Sequence, residues 1–278
     1  MQTGLIRAAA SSKENQSVNY IKPLQCGGSD ESFVLRHDRH GHGLESAAAS
    51  RINCQTLFSW NTPASPHLAS RWENLPASDA EVAAALGTSL GNIINSCGNN
   101  EIQASHNILS TTIIETAGGA LSPSSSSPLN KPTNSTHWGW STQADLYSPF
   151  NIPAVFVGDA KLGGISVTVS SLEALWNRGY NVDAVVFIDG NNNKNGEPDT
   201  IRFGEGNAEA LKEYVMMQNY QQDKVQGKCV PYIEEDAIVL LPSLPPMPIP
   251  LDDWYDDNRE SFVNLNGLLN KKWLKHFR

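Results

Sequence analysis

Two lysines and three acidic residues punctuate the apolar runs of this chain. Lys22 follows VNYI, Glu115 follows STTII, Asp159 and Lys161 follow AVFVG, and Asp189 follows AVVFI. Two glycine pairs, Gly118-Gly119 and Gly163-Gly164, stand in the turns after the second and third of these runs. Carboxylates are the oxygen donors that a hard cation such as Mg²⁺ takes, an ammonium offsets anionic charge, and glycine leaves backbone N–H groups open to an anion. At the carboxyl ends of strands in an open parallel sheet, where the ligand crevice forms, this set suits phosphate and Mg²⁺ chemistry. Ordinary turns account for the same residue types, since Gly and Asp are the default choices at strand ends.

Other chemical patterns are weaker. D-G-N-N-N-K-N-G-E (189–197) imitates a calcium loop, but Lys194 stands where the sharp turn needs Gly and Thr200 where a bidentate Glu is needed, so a solvated Asn-rich turn is expected. H-D-R-H-G-H (37–42) has histidines at metal-binding spacing within a Gly-rich polar loop, and Ser124–Ser127 has no neighbouring base to activate a hydroxyl. Cys26, Cys54, Cys97 and Cys229 are far apart with no C-x-x-C pair, which predicts free thiols and a reducing compartment.

The 278 residues carry 20 Lys+Arg against 29 Asp+Glu, a formal charge of -9 that argues against nucleic-acid backbone binding. A mean hydropathy of -0.35 and the lack of any run of about 18 apolar residues exclude a membrane protein. The start, MQTGLIRAAASSKENQ, has no apolar signal core, and no targeting segment is visible, leaving a mitochondrial or cytoplasmic location.

The elements that must position these residues follow from periodicity. Residues 4–12 predict the end of a helix, and 18–23 a short buried strand stopped by Pro23. From Leu24 to Ala77 the text is rich in Gly, Ser, Asn and His and predicts a long irregular connection. Val82, Leu86, Leu90, Ile93 and Ile94 predict a helix over 79–97 with Asp79 as its cap. Strands are predicted over 108–115, 153–159, 183–189 and up to Leu241, with helices over 166–178 and around 206–218 and a surface insertion over 122–142. The alternation predicts an α/β doubly wound, mostly parallel sheet in a domain of residues 1–242. Residues 243–278 predict a Pro-rich linker, with four prolines between 242 and 248, and the start of a following region.

Y-I-K-P-L-Q-C-G (20–27), S-P-H-L-A (65–69), E-T-A-G-G (115–119), Q-A-D-L-Y-S-P-F (143–150), V-G-D-A-K-L-G-G-I-S (157–166) and G-Y-N-V-D-A-V-V-F (179–187) occur in this order. Together they resemble the dethiobiotin synthetase family over about residues 1–245. More narrowly, they resemble the synthetase half of the bifunctional eukaryotic enzyme, which is fused ahead of a pyridoxal-phosphate aminotransferase. The resemblance implies a P-loop NTPase-type fold and a homodimer. It implies ATP and Mg²⁺, diaminopelargonic acid and CO₂ as reactants, and an aminotransferase domain in cis or in trans; pyridoxal phosphate would belong to that part alone.

Carried over residue by residue, the resemblance makes Lys22 the catalytic cation beside carbamate and phosphoryl oxygens. Asp30 and Glu115 become the Mg²⁺ ligands, and Glu115, Gly118 and Asp189 the nucleotide contacts. Gly119, Gly163, Gly164, Ile165, Ser166 and His67 become substrate contacts, with the N–H groups of 163–166 receiving the substrate carboxylate. The family's first strand and G-x-x-x-x-G-K-[ST] loop have no counterpart in this sequence, which at QTGLIRAAA resembles the remainder of the helix after that loop. By that comparison the polypeptide as written is expected to bind ATP poorly. The rival readings are another Mg-ATP enzyme of the same superfamily, such as a cobyrinate amidase-like protein or a partition ATPase, and a non-catalytic truncated subunit.

Overall fold

The computed structural model describes residues 1–12, 17–38, 52–98, 110–126, 141–190, 202–222, 233–246 and 249–276. It divides into two compact units, Met1–Pro149 and Phe150–Arg278. Both are α/β with parallel strands.

In the first unit, helix α1 (Gln2–Ser12) leads to strand β1 (Ser17–Cys26), which is buried from Val18 through Gln25. Helix α2 (Asp30–Asp38), strand β2 (Ile52–Trp60), helices α3 (Pro66–Trp72) and α4 (Asp79–Gly98), strand β3 (Ser110–Ile114) and helix α5 (Gln143–Tyr147) follow. The strand order is β2-β1-β3, all parallel, so β1 is the central strand, and its near-continuous apolar run is what a strand covered on both faces requires. Ile6 and Ala9 of α1, Val18 and Tyr20 of β1, Val34 of α2 and Ile52 of β2 form one core cluster.

Pro23 does not stop β1, contrary to the sequence reading. The carbonyl of Ile21 accepts from Glu115 N just past the end of β3, so Ile21 and, by two-residue alternation, Pro23 face the β3 side where no further pairing exists. The N–H that proline lacks is therefore not missed, while Leu24, Gln25 and Cys26 keep their register with Phe58, Ser59 and Trp60.

The stretch 24–77 also differs from expectation, for it holds α2, β2 and α3. Ser29 caps α2 by accepting from Ser32 N at 3.1 Å, and Asp30 and Glu31 favour the positive end of the helix. Its buried stripe is thin, with Val34 at 1% exposure and Phe33 exposed, which is why no period shows in the sequence.

Helix α4 spans the predicted range, but Ser78, not Asp79, is its cap. Ser78 Oγ accepts from Glu81 N at 3.2 Å and Glu81 Oε2 accepts from Ser78 N at 2.8 Å, a capping box. Those bonds hold the Glu81 carboxyl below its ordinary range. The Asp79 carboxylate instead accepts from Ser126 Oγ at 2.6 Å and from Ser141 Oγ. Of the expected insertion, 127–140 lie outside the described residues, as do His40 and His42 of the histidine tract, residues 191–197 of the Asn-rich turn, Thr200 and Cys229.

In the second unit, strands β4 (Ala154–Val157), β5 (Val182–Ile188) and β6 (Ile238–Leu241) form a parallel sheet in sequential order, crossed by helices α6 (Gly164–Trp176) and α7 (Phe203–Gln222). Ala184, Val185, Val186 and Phe187 on the central strand β5 are all at 0% exposure. After the Pro-rich segment come helices α8 (Asp252–Asp257) and α9 (Arg259–His276). They bury Trp254, Tyr255, Phe262 and Leu265, and Lys272 Nζ donates to the carbonyl of Asp183 on β5 at 2.9 Å.

Candidate functional site

The carboxyl end of β1 carries the densest polar cluster of the first unit. Tyr20 and Lys22, two residues apart, share the strand face that packs on α1 and α2, and Lys22 emerges where that apolar packing ends. Its side chain is 6% exposed and its ammonium lies 2.8 Å from Asp30 Oδ2, at the start of α2, and 2.9 Å from Glu115 Oε1, just past β3. A third, longer contact runs from Nζ to the carbonyl of Thr116 at 3.3 Å. Two carboxylates and a carbonyl thus offset the cost of burying the charge.

Glu115 is held at three points. Its backbone N–H donates to Ile21 O at 2.9 Å, Oε1 meets Lys22, and Oε2 accepts from the hydroxyl of Tyr20. Tyr20 is fully buried, and burial first, then the Glu115 carboxylate, pushes its phenol well above the ordinary tyrosine range. It stays a neutral donor at any physiological pH. Asp30 is looser: its side chain is 40% exposed, and its N–H donates to Gln25 Oε1 at 3.3 Å. Gln25 in turn donates to Gly27 O at 2.7 Å, tying the β1–α2 turn to the strand.

Gly118 and Gly119 continue directly from Glu115. Gly118 has φ +95°, and a Cβ there would meet Ser122 Oγ at 2.8 Å, so this turn requires glycine for its own shape. His67 lies in α3, its Nδ1 3.0 Å from Ser65 Oγ. Desolvation and then Arg71 hold its imidazole below the ordinary histidine value.

The remaining predicted residues belong to the second unit. Gly163, with φ +81°, precedes α6, and Gly164, Ile165 and Ser166 form the first turn. The turn offers fewer donors than the sequence reading expected, because Gly164 N donates to Lys161 O at 2.9 Å and Ser166 N to Gly163 O at 3.2 Å. The N–H groups of Gly163 and Ile165 have no partner among the described residues. Asp159 shapes this turn: its N–H donates to Thr168 Oγ1 at 3.0 Å, and its Oδ1 accepts from Lys161 N at 3.1 Å. Asn207 Nδ2 bridges the carbonyls of Asp159 and Lys161 at 2.8 and 3.0 Å.

Asp189 is committed to the helix that follows it. Oδ1 accepts from Gly190 N at 3.1 Å and Gly204 N at 3.2 Å, and Oδ2 pairs with Arg202 Nε at 2.9 Å. A Cβ on Gly204 would lie 2.7 Å from Asp189 Oδ1, so glycine is what lets the helix start approach this closely.

Among the described residues no group of three or more His, Cys, Asp or Glu is arranged to hold a metal ion. Asp30 and Glu115 converge on the Lys22 ammonium, and two partly exposed carboxylates fit a Mg²⁺ that brings phosphate oxygens with it; a dedicated protein cage would need more ligands. No helix among the described residues is long and apolar enough to cross a membrane. Tyr20, Gln25 and Arg202 were missed by sequence reasoning. Tyr20 alone had a signal, standing two residues before Lys22 and hence on the same strand face.

Comparison with known proteins gives the family of the chain. The chain is 31% identical over 227 residues to the mitochondrial bifunctional dethiobiotin synthetase/7,8-diamino-pelargonic acid aminotransferase of Oryza sativa subsp. japonica, covering 82% of this chain and 21% of that protein. The corresponding protein of Arabidopsis thaliana is 37% identical over 144 residues, 51% of this chain and 15% of its own length. The ATP-dependent dethiobiotin synthetase of Brucella ovis is 32% identical over 172 residues, 61% of each chain. The chain thus spans 15% to 21% of the bifunctional plant proteins that it matches. Residues 2–235 match the AAA domain family model, taking in Lys22, Asp30, Glu115 and both glycine turns, and the chain belongs to that family, its relatives being dethiobiotin synthetases.

Proposed function

We propose that this chain is the synthetase part of an ATP- and Mg²⁺-dependent ligase that closes the ureido ring of dethiobiotin from 7,8-diaminononanoate and CO₂ in biotin biosynthesis. One observation carries the reading: the convergence of Asp30 and Glu115 on the buried ammonium of Lys22, at the carboxyl end of a central parallel strand. In this reaction one amine takes up CO₂ as a carbamate, the carbamate accepts a phosphoryl group from ATP, and the second amine displaces phosphate to close the ring. Every intermediate on that route is anionic, and a fixed ammonium in a partly desolvated site stabilises such charge without reorganising. Lys22 does this, while Asp30 and Glu115 hold the Mg²⁺ that neutralises the nucleotide phosphates. Gly118 and Gly119 let the nucleotide and substrate approach the backbone, and the turn at 163–166 takes the substrate carboxylate through N–H groups of a helix start. His67 is kept as a substrate contact, whereas the Asp189 carboxylate is taken up by Gly190, Gly204 and Arg202.

The relatives' names support the wider setting, a synthetase joined to a diaminopelargonic acid aminotransferase, in mitochondria as the plant proteins are named; the homodimer is part of the proposal alone. The test is turnover of the full-length protein with diaminononanoate, bicarbonate, ATP and Mg²⁺, read as dethiobiotin formed. Lys22→Ala is expected to lower kcat by roughly 100-fold or more, the scale of losing one electrostatic donor, and Glu115→Gln to raise the Mg²⁺ requirement. Unchanged turnover in Lys22→Ala removes the cluster from the chemistry.

A further inference from the structure

We propose that Tyr20 is a positioning residue for the metal site, its hydroxyl fixing the carboxylate of Glu115 in the orientation that presents Oε1 to the bound cation; this rests on the reading of Glu115 as a Mg²⁺ ligand. The two carboxylates of the cluster are held unequally. Asp30 stands at a helix start with its side chain 40% exposed, whereas Glu115 is 22% exposed and anchored through its backbone N–H to Ile21 and through both oxygens to β1 side chains. Lys22 holds Oε1, the oxygen from which a bound cation would displace its ammonium. Tyr20 holds the other oxygen, Oε2, and it is fixed in place, because its ring is at 0% exposure within the core formed by Ile6, Ala9, Val18, Val34 and Ile52. With Lys22 turned toward substrate oxygens, the Tyr20 hydroxyl is the remaining side-chain contact that keeps Glu115 from swinging into solvent. Outer contacts of this kind orient a ligating carboxylate before the cation arrives.

Pure packing would give Tyr20 the same burial, so the experiment must separate ring from hydroxyl. Tyr20→Phe keeps the ring and removes the donor. In the full-length protein with ATP present, Mn²⁺ serves as the probe, its affinity measured by calorimetry and its ligand symmetry by electron paramagnetic resonance. Tyr20→Phe is expected to weaken Mn²⁺ binding roughly 10-fold to 100-fold, the range seen when a contact behind a metal ligand is lost, and to alter the spectrum. Fluorotyrosine at position 20 keeps the ring and makes the hydroxyl a stronger donor; it is expected to change the Mn²⁺ spectrum, and if Tyr20→Phe fails to fold, an unchanged spectrum in the fluorotyrosine protein overturns the positioning role. Glu115→Gln is measured in parallel. Loss in Glu115→Gln with no change in Tyr20→Phe overturns the positioning role alone. No change in either variant, or no Mn²⁺ binding by the unsubstituted full-length protein, overturns the ligand reading and the proposal with it.

Discussion

A side chain's contacts decide between two roles that its sequence position leaves open, and Asp189 is the clearest instance. Its place after AVVFI suits a ligand-binding acid, yet its oxygens accept from Gly190 and Gly204 and pair with Arg202, the pattern of a residue that caps the helix after it. Asp189→Ala is therefore expected to cost about 1–2 kcal/mol of stability in denaturant titration while leaving the KM for ATP unchanged in the full-length protein. A nucleotide contact gives the reverse, a raised KM with stability intact. Cys26 shows the same dependence on surroundings: burial pushes its thiol up to about 11, Lys22 pulling the other way, so it is a poor nucleophile although it lies in the motif that carries the chemistry.

At the scale of elements, α4 and most strands were legible from their residue patterns, whereas β2, inside the stretch read as irregular, was not. The run Val82, Leu86 and its successors places α4, and the β-branched runs place β3 and β5. What escaped was set by neighbours rather than by period. Pro23 is harmless only because β3 has ended, and α2 exists through its Ser29 cap and one buried valine. The turn at 163–166 is the functional version of this lesson. A Cβ on Gly164 would stand 2.1 Å from the carbonyl oxygen of Asp159 and 2.9 Å from Asn207 Nδ2, so the residue is needed to seat α6 on the end of β4 whatever binds there. Gly164→Ala is expected to destabilise the protein by roughly 1–3 kcal/mol or more, as overpacking does, and to lower the melting temperature before any substrate is added. A stable variant with only a raised KM for the diamino acid would show instead that the space serves the substrate.

Across the whole molecule, the site was legible as a cluster in the first unit: Lys22, Asp30 and Glu115 come together as the motifs suggested, with Gly118 and Gly119 beside them in sequence. The Tyr20 hydroxyl was not, since a buried aromatic in a strand reads as core until its partner is known. The C-terminal segment shows the same limit at larger scale. Prolines 242–250 read as a linker, and the helices after them as the opening of something else, because composition reports what a segment is made of and not what it packs on. In the structure Trp254, Tyr255 and Phe262 form a mutual aromatic cluster with ring centroids 5.3 to 6.2 Å apart, and Trp254 Nε1 donates to Ser243 O at 2.9 Å, fastening the helices to the Pro-rich segment. Lys272, 12% exposed, reaches Asp183 O on the central strand and lies 3.8 Å from Glu234. These contacts make α8 and α9 part of the second unit's fold. Phe262→Ala, which empties a site at 1% exposure, is expected to destabilise that unit by roughly 3–5 kcal/mol, read as an earlier unfolding transition in denaturant. An independent bridge would unfold without disturbing β5, so an unchanged transition for the second unit would detach these helices from it.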